Sequence, residues 1–117
     1  MNPQETAQAV LDQIRMWPET HWQGAYEMGT GCGTTRCVAG WAAHFHGYSQ
    51  IGNISMPMWI GPNGTEFVHD LAAVRLGLDD GDACLLFSAT LPAAEAVHAL
   101  EYLAKGEKID WEAVWDR

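Results

Sequence analysis

The chain has 117 residues, 48% hydrophobic and 18% charged, which suits one modest core and sets a single domain over 1–117 as the expectation. Fifteen acids against six bases leave a formal net charge of −9 with the histidines neutral. That sign repels nucleic-acid phosphate and anionic lipid, so direct nucleic-acid or membrane binding is disfavoured.

The excess is uneven: residues 79–117 hold nine acids and three bases, residues 1–78 six and three. The C-terminal third is expected to present an acidic face, whose plain reading is solubility and whose sharper reading is attraction of a basic partner. Met1-Asn2-Pro3-Gln4-Glu5 lacks a basic leader, and no apolar run reaches bilayer-spanning length, so a cytoplasmic protein is expected. Three cysteines, Cys32, Cys37 and Cys84, are an odd count that fits free thiols in a reducing compartment.

In chain order, Asn2 as cap, Pro3 at the first helical position and Glu5 three residues after Asn2 predict a helix over 3–17. Its buried stripe is Ala7, Val10, Leu11, Ile14 and Trp17, and Pro18 stops it. Residues 18–33, rich in glycine, read as a loop pinned to the core by Trp22 and Tyr26. Thr34 or Thr35 is expected to cap a second helix running to about His46, with Cys37, Val38, Trp41, Ala42 and Phe45 inward and Gly47 ending it. Residues 48–64 are irregular. A hairpin around Pro62-Asn63-Gly64 suits them, although Pro57 argues against a strand.

Thr65 is expected to cap a third helix burying Phe67, Leu71, Val74 and Leu78, with Gly77 near its end. Asp79 then caps a fourth through about Ser88, with Asp82 at its third position. A fifth follows Thr90-Leu91-Pro92, burying Val97, Leu100 and Leu103 or Ala104 and stopping at Gly106. Asp110 starts a last turn carrying Trp111, Val114 and Trp115. The expected fold class is therefore mainly all-α: a bundle of about five short helices whose 48–64 segment has room for a small β-hairpin.

The most distinctive stretch is 32–41. Cys32, Gly33 and Thr34 read as a tight, capped approach to the helix, and Cys37, Ala39, Gly40 and Trp41 as a face that lets another backbone come close. With Cys-Gly-Thr-Thr-Arg-Cys-Val-Ala-Gly-Trp, the chain resembles small uncharacterised proteins of actinobacteria and their phages that share a Cys-Gly-Thr/Ser-x-x-Cys-x-Ala-Gly-Trp motif. Leu76-Gly77-Leu78, the acid-rich Asp79-Asp80-Gly81-Asp82 and the Leu86-Phe87 pair extend the likeness over about 30–104. It implies a fold group and a phage or actinobacterial setting, and no activity.

Three chemical readings compete with packing. Cys32, Cys37, His44 and His46 offer four zinc-type ligands within fifteen residues, but four residues separate the cysteines and the histidines project to different sides of a helix. Cys37 in a first helical turn is a candidate thiol nucleophile, with His69 and Asp70 or His21 as partners. Against it, the sheet that usually carries such a histidine is not evident, and Val38 and Trp41 would raise the thiol pKa. Arg36, in the same first turn, needs an offsetting group: a carboxylate such as Glu27 or Glu66, or an anion shared with the amides of Thr34 to Cys37. No Gly-x-x-x-x-Gly-Lys is present to support nucleotide binding.

Six tryptophans are a heavy load for this length. Trp17 and Trp41 suit buried stripes. Trp111 and Trp115 either fold back over the first helix or present a contact surface, and Met56, Met58 and Trp59 raise the same choice. The resulting expectation is a small acidic non-enzymatic accessory protein that binds another protein, in a phage setting a host protein, with no cofactor and as monomer or homodimer. A Cys/His zinc-binding structural or sensor domain and a small cysteine-dependent hydrolase are the alternatives.

Overall fold

The computed structural model describes residues 1–21, 28–30, 33–51, 58–88 and 90–115. The chain is mainly helical, with two small antiparallel sheets. Helix α1 spans Pro3–Met16. The Asn2 side chain accepts from the Glu5 amide at 2.8 Å, and the Asn2 amide donates to Glu5 Oε1 at 3.0 Å, a reciprocal capping box. Such a cap is worth about 1 kcal/mol. Thr6, Ala7, Val10, Leu11 and Ile14 form the buried stripe. Trp17 is not part of it. The helix ends at Met16, Trp17 adopts φ −135° before the 3-10 turn Pro18–Thr20, and its ring is 53% exposed.

The glycine-rich stretch contains β1 (Met28–Thr30) and β2 (Gly33–Thr35), paired with Gly29 opposite Thr34. Thr34 and Thr35 therefore lie in a strand, where β-branched residues fit, rather than at a helix cap. Helix α2 spans Val38–Phe45, with Cys37 as its N-cap residue. Arg36 precedes the helix in a parallel backbone bridge with His21 and is not in the first helical turn. The Thr20 carbonyl accepts from the Arg36 amide at 2.9 Å and from Trp41 Nε1 at 3.1 Å, fastening the 3-10 turn to α2.

A three-stranded antiparallel sheet follows: β3 (Ser49–Ile51), β4 (Met58–Gly61) and β5 (Gly64–Phe67), in that spatial order. The β4–β5 hairpin turns at Pro62 and Asn63, and Gly64 takes the positive φ of +97°. Because β5 runs through Phe67, Thr65 caps nothing, and α3 spans Val68–Leu76. The helix phase shifts accordingly: Val68, Leu71, Ala72 and Leu76 are buried, whereas Phe67 and Val74 are exposed and Leu78 half-buried.

Helix α4 (Asp80–Leu86) is capped by Asp79, which accepts from the Asp82 amide at 2.8 Å. Helix α5 (Ala93–Ala104) buries Ala96, Ala99 and Leu100, with Val97, Leu103 and Ala104 at the core margin. Helix α6 (Trp111–Trp115) buries Val114. Three helices end alike: the amides of Tyr48, Leu78 and Glu107 reach back to the carbonyls of Ala43, Ala73 and Tyr102, across Gly47, Gly77 and Gly106 at positive φ. Glycine is suited to that left-handed position because it has no Cβ.

The main core joins α1, α2, α3, α4 and α5 with Ile109 and Val114. A second cluster, Ala43, Tyr48, Trp59, Val68 and Leu71, binds the inner sheet face to α2 and α3. A Cβ at Gly61 would lie 2.6 Å from the ring of the buried Tyr48, whereas Gly64 faces open space. Gly61→Ala should cost about 1–3 kcal/mol by forcing that ring to move, and Gly64→Ala about 1 kcal/mol by backbone strain alone. A Gly61→Ala midpoint in urea unfolding equal to that of the parent would contradict the close approach of Tyr48.

Candidate functional site

Cys37 is buried at the start of α2, and burial pushes its thiol up to about 11 despite hydrogen bonds from the Gly40 and Ala39 backbone that act the other way. At neutral pH it is a protonated, enclosed thiol, whereas a nucleophile has to be an accessible thiolate. Of the candidate partners, the His69 ring meets Phe87 edge-on at 5.3 Å, and the His21 backbone pairs with that of Arg36 in a parallel bridge. Ala39 and Gly40 are buried beside Cys37, as a packing face requires.

The zinc-type set is not gathered. Cys37 lies at one end of α2 and His44 and His46 at the other, separated by about 12 Å of helix. His44 is exposed and packs edge-on to Trp41, and His46 Nε2 lies 2.8 Å from Thr6 Oγ1. Cys32 lies outside the described residues. Among those described, no group of three or more His, Cys, Asp or Glu side chains could hold a metal ion.

The Arg36 guanidinium lies over the Trp41 ring, 4.7 Å from its centroid, where the ring's quadrupole attracts it. Of the two carboxylates expected beside it, Glu27 lies outside the described residues, and Glu66 accepts from the Tyr48 hydroxyl at 2.5 Å.

The aromatic candidates separate cleanly. Trp59 is fully buried on the inner sheet face and is no contact residue; its Nε1 has no hydrogen-bond partner among the described residues. Trp111 is half-buried and donates from Nε1 to Asp82 Oδ1 at 2.9 Å, fixing α6 to α4. The tail thus folds back onto α4 and α5. The Trp115 ring lies tilted against that of Trp111, with centroids 5.8 Å apart, and Trp115 is 52% exposed. Met56 lies outside the described residues.

Met58 belongs to a surface that residue types alone did not single out. In an antiparallel sheet directly opposed side chains share a face. Met58 opposes Phe67, and Ile60 opposes both Ser49 and Thr65, so these five residues form the outer face. Phe67 is 57% exposed, Ile60 49% exposed and Met58 half-buried. None of the five is charged, on a chain of net −9. The alternation Met58-Trp59-Ile60 together with the Pro62-Asn63-Gly64 turn was the available signal, because a tight turn sets the register.

No helix of the described residues is long and apolar enough to cross a membrane. Comparison with known protein families, curated proteins and solved structures finds no match.

Two measurements test this description. Iodoacetamide should modify the exposed Cys84 in the native protein and Cys37 only after unfolding; native labelling of Cys37 as fast as that of Cys84 would refute the enclosed thiol. Burial, then the Arg75 guanidinium and the N-terminal ammonium, hold His46 below the ordinary histidine value. The unfolded chain therefore takes up this proton first, so the stability tied to neutral His46 is complete above about pH 6.5 and lost as pH falls through the folded-state value. His46→Gln should flatten the melting-temperature profile in that range, and a profile unchanged by the substitution would refute the assignment.

Proposed function

We propose that this chain is a non-enzymatic accessory protein that binds another protein through the outer face of β3–β4–β5. The observation that carries the reading is the pairing of Phe67 with Met58 beside Ile60, an apolar, uncharged and partly solvent-facing group on an otherwise acidic chain. Apolar side chains scattered singly over a surface need no explanation, but a contiguous group on one sheet face is the usual mark of an interaction surface. The protonated, buried Cys37 supports a structural role for the 32–41 motif over thiol chemistry. In the phage or actinobacterial setting that the motif implies, the partner is a host protein.

Phe67→Ser combined with Ile60→Thr removes the apolar group without opening a cavity, since both side chains already meet solvent. The double variant should melt within about 3 °C of the parent. It should also lose a protein that the immobilised parent chain retains from a bacterial lysate, whereas Trp115→Ala should keep it. Retention of that protein by the folded double variant would defeat the proposal.

A further inference from the structure

A recess lies away from the sheet face, bounded by the first turn of α1, the α3–α4 turn and the end of α5, with a volume of about 530 Å³. That volume falls within the range of about 300–1,000 Å³ common to small-ligand pockets. Two glycines line it. Gly77 and Gly106 end α3 and α5 directly against α1, where an added Cβ would lie 3.2 Å from Pro3 Cβ and 3.2 Å from Gln4 Oε1. Pro3, Leu78 and Leu103 contribute apolar lining, with Leu76 buried behind them, and the acidic residues Asp79, Asp82 and Glu107 line the same recess.

The rim already holds one cation. Lys108 Nζ lies 3.2 Å from Asp79 Oδ2 and 3.9 Å from Asp82 Oδ2, yet the Lys108 side chain is 75% exposed. Its ammonium therefore sits at the carboxylate pair while most of its stem remains in water. The recess offers what that lysine leaves unused: an apolar bed for the methylene stem beside an acidic place for the charged end. Long basic side chains prefer this division, with the stem on apolar surface and the charge at its edge.

We propose that this recess accepts a lysine side chain of a partner protein, with its stem on Pro3, Leu78 and Leu103 and its ammonium displacing Lys108 from Asp79 and Asp82. The charge complementarity is local: three acidic residues, Asp79, Asp82 and Glu107, line the recess with one basic residue, the exposed Lys108. Lys108 then acts as an internal competitor, lowering affinity for incoming cations without filling the recess. The site is independent of the sheet face, and neither proposal requires the other.

The test is a titration of the full-length chain with N-acetyl-lysine N-methylamide, followed by nitrogen-15 NMR. The Trp111 indole N–H is a built-in reporter, because it donates to Asp82 Oδ1 at 2.9 Å. A saturable shift of that signal and of the Leu78 and Glu107 amides is expected, with a dissociation constant on the order of millimolar for so small a probe. Lys108→Ala should tighten binding about two- to fivefold, and Asp82→Asn should weaken it by a similar factor or more. Glu107→Gln repeats the charge test without touching the Trp111 bond. N-acetyl-norleucine N-methylamide, which keeps the stem and lacks the ammonium, should not bind. Absence of saturable shifts, equal binding of the norleucine probe, or a Lys108→Ala variant that binds no more tightly would each overturn the proposal. Tighter binding of cadaverine than of the lysine amide would overturn the assignment to a protein partner in favour of a free diamine.

Discussion

Six consecutive residues of α2, Val38 to Ala43, are buried, so the first turns of this helix have no solvent side. A helix enclosed all round has to be met from every direction, and the rest of the fold follows from that requirement. Helices α1 and α3 pack against it, the 3-10 turn is fastened to it through Thr20, and the sheet reaches it through Ala43 and Tyr48. The small residues Ala39, Gly40, Ala42 and Ala43 let these neighbours come close, and Trp41 fills the remaining volume on the side of the 3-10 turn. In this arrangement the thiol of Cys37 is a filler of the core, and its protonated state is a consequence of that enclosure.

The enclosure of α2 leaves two kinds of surface. One is the outer sheet face, uncharged and carrying Met58, Ile60 and Phe67, which is left over because the inner face alone packs on α2 and α3. The other is the junction where the end of α3, the start of α4 and the end of α5 meet the first turn of α1. There the helices stop early on left-handed glycines, the backbones come together without side chains between them, and a recess remains. The acidic bias of the C-terminal third falls on this junction: Asp79 caps α4, Asp82 anchors Trp111, and both hold Lys108. Carboxylates that suit the start of a helix for local reasons thereby also set the charge at the rim of a recess.

Much of the architecture was legible because it depends on local chemistry. The Asn2–Glu5 capping box, the Asp79 cap, the stops at Gly47, Gly77 and Gly106 and the turn at Pro62-Asn63-Gly64 each rest on a few adjacent residues whose backbone preferences do not depend on their surroundings. These signals placed the helices, although their boundaries moved. Thr34, Thr35 and Thr65 carry hydroxyls suited to helix caps and side chains suited to strands. Pairing with a neighbouring strand decided the matter in all three cases.

Burial, by contrast, was settled only by the assembled chain. The apolar spacing 67, 71, 74 and 78 is as regular as 68, 71, 72 and 76, and nothing within the segment distinguishes the two faces. The cross-strand partner of Phe67 does so, by turning that residue outward and making it, rather than Thr65, the N-cap residue of α3. Trp17, Trp59 and Trp111 have the same composition and different fates, because one follows a helix end, one faces inward from a strand and one finds a carboxylate on another helix. Helix starts, stops and turns were thus readable from the order of residues, since their energies arise within a few positions. Which apolar side chains are covered, and so which surfaces are free to bind, was decided by contacts between segments distant in the chain, and those exist only once it has folded.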